Sequence, residues 1–266
     1  MSIIRCGLNY YYEKVHYRCI MRGTLKNHLT RVVNNYLDEL FGLRFQPSPE
    51  SRLNKSRKKI LQKFKVKNVL DVGANNGQWA LRVREGGFKE NITSFEPTIA
   101  FEILKKNTFR DSNWSCVNMA VSNHAGESRI YLASNGNLSS SILQPDEILI
   151  QGFGIEFNES IKVPTTTLDE YLSNSQIEEF YLKIDVQGAE KLVLEGVENS
   201  LSKCVAVEFE SSLRSLYKGE SKHYDLAKWL IQRGFTPYQV VITHWDNSMA
   251  AISLDSIFIK NMDQKI

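Results

Sequence analysis

From Lys67 onward, short apolar runs alternate with stretches of helical periodicity, and this alternation constrains the fold more than any other feature of the chain. "NVLDVG" (68–73) precedes helical spacing over Gln78–Arg84, which closes at Gly86 and Gly87. "NITSFEP" precedes "AFEILKKNT", "FYLKIDVQ" precedes "AEKLVLEGVENSL", and "CVAVEFES" precedes "HYDLAKWLIQRG". Strand followed by helix, repeated, requires crossover connections, so the pattern predicts an α/β fold with a mostly parallel sheet covered on both faces. "SCVNMAVS" and "ESRIYLAS" read as two further strands, followed by a Ser/Asn/Gly-rich loop from Ser134 to Glu159 that contains Ser139–Ser141. "KVPTTTLDEYL" reads as an edge strand and a short helix. The closing runs, "FTPYQVVITHW" and "AISLDSIFIK", have no helix between them and predict an antiparallel hairpin at one sheet edge.

The chain has 266 residues, 42% hydrophobic and 24% charged, which suits an ordinary globular protein and excludes the disordered and fibrous classes. No run reaches the roughly 20 apolar residues of a membrane span, and the first residues lack the apolar core of a secretory signal. Cys6, Cys19, Cys116 and Cys204 are scattered without metal-ligand spacing and read as reduced thiols. Together these features predict a cytoplasmic protein. The net charge of +3 conceals an asymmetry: residues 1–67 hold 15 Lys/Arg against 4 Asp/Glu, and the rest hold 18 against 26. This predicts a basic, mostly helical N-terminal segment, 1–66, with one helix over Thr24–Leu40 and another over Ser51–Phe64, joined to a mildly acidic domain, 67–266. Such a segment suits peripheral contact with an anionic surface.

The turn after the first strand, "GANNGQ" (73–78), limits what the chain can bind. A phosphate-binding loop needs Gly-x-x-x-x-Gly-Lys-Ser/Thr, but Gln78 and Trp79 stand where the second glycine and the lysine belong. A dinucleotide fingerprint needs glycines at the first, third and sixth positions, where this chain has Gly73, Asn75 and Gln78. Yet Glu96 ends the second strand about 20 residues on, where an acid accepts hydrogen bonds from ribose hydroxyls. A ribose beside a turn without phosphate machinery points to a nucleoside lacking a pyrophosphate. S-adenosylmethionine fits, with its adenosine on Glu96 and its methionine portion over the backbone at Gly73 in the turn that Gly77 closes; Asp71 would orient that turn or take the ammonium through a charge-assisted hydrogen bond. Asn75 is a further cofactor contact in this reading.

With these residues in place, the chain resembles the FkbM-type S-adenosylmethionine-dependent methyltransferases. "VLDVGANNG", "SFEP", "AVSNHAGES", "VPTTTLDEYL", "LKIDVQGAE" with "VLEGVE", "VEFE" and "LDSIFIK" occur in the family's order between Asn68 and Lys260. The resemblance implies a Rossmann-like class I methyltransferase fold, with a seven-stranded, mostly parallel sheet ending in an antiparallel hairpin and preceded by N-terminal helices. It also implies methyl transfer to a hydroxyl of a sugar, polysaccharide or secondary metabolite. It puts the adenine beside "NMA", making Asn118 and Ala120 cofactor residues, with Met119 against its face. Gln187 stands where the family often has Glu.

Lys183 and Asp185 lie at the carboxyl end of the central strand, where ligands of open sheets bind, and share one face because they are two apart. Asp185 would face the reacting hydroxyl, with Lys183 holding its charge. Glu208 and Glu210 end the neighbouring strand, and Glu208 is taken with Asp185 as the second catalytic carboxylate. Two carboxylates also admit a Mg²⁺-assisted variant. His124, His223 and His244 are secondary base candidates. Two other readings compete: an RNA or protein methyltransferase, and a non-catalytic adaptor using the basic segment. The chain has no Pro-Pro dipeptide, and hence no Asp/Asn-Pro-Pro-aromatic turn of amino-group methyltransferases, and no recognisable nucleic-acid module. A small-molecule or saccharide acceptor, and no nucleic acid, is therefore the partner expected.

Overall fold

The computed structural model describes residues 48–246 and 248–261, so the Thr24–Leu40 helix expected from sequence, Cys6 and Cys19 lie outside the described residues. The compact unit begins at Pro49. Within it, strands β1 (Asn68–Val72), β2 (Asn91–Phe95), β3 (Trp114–Val117), β7 (Phe180–Ile184), β8 (Cys204–Ser212), β9 (Phe235–Trp245) and β10 (Ala251–Lys260) form one sheet in the order β3-β2-β1-β7-β8-β10-β9. β1, β2, β3, β7 and β8 are parallel, and β10 runs antiparallel between β8 and the edge strand β9. The expected α/β class, parallel sheet and closing hairpin are all present.

The central strands are apolar almost throughout because both faces are covered. Val69, Tyr181 and Ala206 point to one side, where they meet helices α1 (Pro49–Lys63) and α2 (Gln78–Glu85) and Leu104 of α3 (Phe101–Thr108). Leu70, Leu182 and Val207 point to the other, against α5 (Leu168–Ser173), α6 (Glu190–Glu195) and α7 (His223–Gln232). Helix α1 is strongly basic, yet Leu53, Ser56, Arg57, Ile60 and Leu61 form a buried stripe at helical spacing. The helix thus belongs to the compact unit that carries the sheet.

Two expectations need correction. "SCVNMAVS" is not one strand: Asn118 interrupts it by donating from Nδ2 to the Glu96 carbonyl (2.9 Å), and Ala120–Val121 leaves as β4. With β5 (Gly126–Leu132) and β6 (Glu159–Thr166), β4 builds a three-stranded sheet, β4-β6-β5, around Ala120, Ile130 and Val163. The stretch read as a loop contains helix α4 (Glu147–Phe153), capped by Asp146, whose side chain accepts from the Ile148 N–H, and closed by left-handed Gly154.

Candidate active site

The parallel register lines up polar residues in rows across the strand ends. Ser94, Asp71, Lys183 and Glu208 stand opposite one another on β2, β1, β7 and β8. Two residues further along each strand come Glu96, Gly73, Asp185 and Glu210, which form the rim. A cavity of about 500 Å³ opens above that rim, within the range of small-ligand sites. Asp71, Gly73, Asn75, Glu96, Ala120, Lys183 and Asp185, all expected at the site from sequence, line it.

Gly73 and Asn75 set the cradle. Gly73 has φ +79°, and a Cβ there would lie 1.8 Å from the Asp185 carbonyl oxygen, so only glycine lets the β1 turn come so close to β7. Asn75, also at positive φ, donates its N–H to Glu96 Oε2 (2.8 Å). The other Glu96 oxygen accepts from the Thr98 N–H (2.8 Å) and hydroxyl (2.5 Å). Glu96 is buried, 5% exposed, and borders the cavity rather than solvent. Its carboxylate is thereby fixed at the end of β2.

Asp71 accepts from Ser94 Oγ (2.9 Å), which in turn accepts from Trp114 Nε1 (3.0 Å). Burial pushes the Asp71 pKa up to about 7, only partly offset by the Ser94 bond and the charge of Lys183. Burial would lower the Lys183 pKa, but Asp185, Asp255, Glu208 and Glu210 together reverse this and raise it above the usual lysine value. Lys183 Nζ lies 3.6 Å from Asp185 Oδ2, and Gln187 Nε2 donates to Asp185 Oδ1 (2.8 Å). The expected Lys183–Asp185 pair therefore exists.

Three residues expected at the site lie elsewhere. Gly77 does not border the cavity; its φ of +87° and a virtual Cβ 2.8 Å from the Trp114 ring mark it as a packing glycine. Asn118 braces the backbone of Glu96, as described above. Glu208 lies one row below the rim, buried against α1 and α2. Arg57 forks onto it (Nε to Oε2 2.8 Å, Nη2 to Oε1 2.5 Å), and Tyr181 Oη (2.5 Å) and Trp79 Nε1 (3.2 Å) also donate to it. With both oxygens so engaged, it is held beneath the helices and does not line the cavity.

Glu210 occupies the rim instead and lines the cavity, as does His244. Burial, reinforced by Asp185, pushes the Glu210 pKa up to about 7. Its choice over Glu208 was not legible from alternation, which assigns both to one face. His124 is exposed and bonds Asn123 and Ser128, while His223 sits beside Ser211 and Phe209, its pKa lowered by burial. Ser139–Ser141 do line the cavity: Tyr217 Oη donates to the Ser139 carbonyl (2.7 Å), holding the loop over the mouth. Among the described residues no group of three or more His, Cys, Asp or Glu side chains is arranged to hold a metal ion. No described helix is long and apolar enough to cross a membrane.

These features agree with the comparisons to known proteins. The 2-O-methyltransferase NoeI of Sinorhizobium fredii is 31% identical over 161 residues, 57% of this chain and 66% of that protein, so the match spans just under two thirds of the relative. Among solved structures, a methyltransferase FkbM from Methylobacillus flagellatus KT aligns with a TM-score of 0.44 at 14% identity, covering 72% of this chain and 43% of that one. The magnesium protoporphyrin IX methyltransferase of Synechocystis PCC 6803, with bound SAM, aligns with a TM-score of 0.45 at 9% identity, covering 87% and 97%. Residues 71–237, which run from the acid ending β1 into β9 and include Glu96, Asp185 and Glu210, match the methyltransferase FkbM domain, and the chain belongs to that family.

Proposed function

We propose that the protein transfers a methyl group from S-adenosylmethionine to a hydroxyl of a saccharide or of a secondary metabolite. The observation that carries this reading is the buried Glu96 carboxylate, fixed by Asn75 and Thr98 at the end of β2 and bordering a cavity of about 500 Å³. The residues present fit the donor. Glu96 Oε2, which accepts only from the Asn75 N–H, keeps an acceptor site for a ribose hydroxyl, Met119, Ala120 and Val121 offer apolar surface for adenine, and Asp71 offers a carboxyl for an ammonium. When bound, S-adenosylmethionine supplies a methyl group already activated on a sulfonium. The chain's own task is then alignment and exclusion of water, effects worth about 7–11 kcal/mol in good cases. Asp185, braced by Lys183 and Gln187, orients the acceptor at the rim. The activity of the Sinorhizobium relative, a 2-O-methyltransferase, supports oxygen as the acceptor atom. A cytoplasmic location and a neutral small acceptor rather than RNA complete the reading.

The test is calorimetry with S-adenosylhomocysteine. Glu96→Ala should weaken binding about 10–100-fold, as expected for loss of charge-assisted hydrogen bonds worth about 1.5–3 kcal/mol. Equal affinity in the variant and the parent would remove the ribose assignment, and with it the methyl-donor reading.

A further inference from the structure

We propose that His244 is the general base that takes the acceptor's hydroxyl proton, with Glu210 and Ser253 as its positioning residues. The inference rests on the methyl-transfer reading and adds the residue that completes its chemistry. His244 lies beyond residues 71–237, the part of the chain matched to the family.

His244 stands on β9 and lines the same cavity as Glu96, Gly73 and Asp185. Its Nδ1 lies 2.8 Å from Ser253 Oγ and 3.6 Å from Glu210 Oε1, and Ser253 Oγ donates to Glu210 Oε1 (3.2 Å). One ring nitrogen is thus tied to a carboxylate and a hydroxyl. With Nδ1 protonated and donating to Ser253 Oγ, Nε2 keeps its lone pair for the acceptor. This is the arrangement in which a base is oriented by a third group. The β9–β10 ladder is irregular on both sides of the His244–Ser253 pairing, with register shifts between Ala251 and Ser253 and between Ser253 and Leu254. Irregularities of this kind re-aim side chains beside active sites.

Chemistry favours His244 over Asp185 for this step. An imidazole titrates near 6.5 in model peptides and a carboxylate near 4, so imidazole is the better-matched base for an alcohol near neutral pH. Asp185 is already engaged by Lys183 and Gln187. The charged group against His244 is Glu210 on β8, which in turn has Lys183 and Asp185 on β7 and Asp255 on β10 beside it, while Asp246 just past β9 is paired with Arg214 (2.8 Å). In the step, the acceptor oxygen forms a bond to the methyl carbon while the carbon–sulfur bond breaks and leaves its electron pair on sulfur. The hydroxyl proton passes to Nε2 and then to water, to which the 61%-exposed side chain is open.

Two measurements on the full chain decide the matter. Nitrogen-15 NMR of His244 with S-adenosylhomocysteine bound should show the Nδ1–H tautomer in the parent and a shift toward Nε2–H in Glu210→Gln. A predominant Nε2–H tautomer in the parent, unchanged in Glu210→Gln, would overturn the proposal without any acceptor being known. Methyl uptake into a panel of methyl glycosides should fall about 10²–10⁴-fold in kcat for His244→Gln, with KM unchanged and the rise of rate with pH abolished. A kcat within threefold of the parent would equally sink it. Failure of the underlying donor reading appears separately, as absent S-adenosylhomocysteine binding in the parent.

Discussion

Gly73 shows how much a single residue decides. Its positive φ and the 1.8 Å approach of a virtual Cβ to the Asp185 carbonyl mean that a methyl group must push β1's turn away from β7. Gly87 also has positive φ, +95°, but a Cβ there meets nothing within 4 Å. Gly73→Ala should therefore abolish S-adenosylhomocysteine binding, measured by calorimetry, and lower thermal stability. Gly87→Ala should lose only the left-handed penalty of about 1–2 kcal/mol and keep binding intact. Similar behaviour of the two variants would refute the close-approach argument. The "GANNG" turn was legible in the sequence because glycine placement is a local backbone demand. The different roles of its two glycines were not, since Gly77 answers to Trp114 and Leu104, which arrive from distant parts of the chain.

At the scale of elements, α1 is the unexpected partner of the sheet. It is strongly basic, yet one face carries Arg57 into the core to meet Glu208 across 151 residues of sequence. Burial alone would raise the Glu208 pKa; the charge and hydrogen bonds of Arg57 more than reverse it, and the value falls to about 2. Removing one partner of a buried pair leaves an uncompensated charge, at a cost of about 3–5 kcal/mol. Arg57→Ala should therefore show a large drop in unfolding free energy by urea denaturation, and a loss under 1 kcal/mol would contradict the pairing. The 3.6-residue stripe of α1 was readable from Leu53, Ile60 and Leu61, whereas the ion pair was not, because no local pattern marks a partner so far along the chain.

For the whole molecule, several buried acids have pKa values raised mainly by burial: Asp71, Glu210 and Asp255 to about 7, and Glu190 to about 8. A carboxyl with a raised folded pKa stabilises the protein below its unfolded pKa, and that contribution is lost as pH climbs through the folded value. Glu208 works in the opposite sense: its contribution is present above the unfolded value and is lost as pH falls toward about 2. Thermal stability should then decline from pH 5 through pH 8 in a differential scanning series. Asp255→Asn should flatten the decline on the alkaline side. A midpoint that rises steadily from pH 5 to pH 8 would contradict the raised values.

Apart from β4 and helix α4, the order of strands and helices, the hairpin and the acid closing β2 were readable from the chain, because apolar periodicity and turn chemistry are local and the crossover rules admit few topologies. Which carboxylate reaches the rim was not. Alternation along a strand has period two, so it tells which face Glu208 and Glu210 share but not how far along the strand the neighbouring chain ends. Only the pairing of Lys183 with Glu208 fixes that level, placing Glu208 under the helices and Glu210 at the cavity. Register is set by contacts among segments distant in sequence, and it exists only once the sheet has formed.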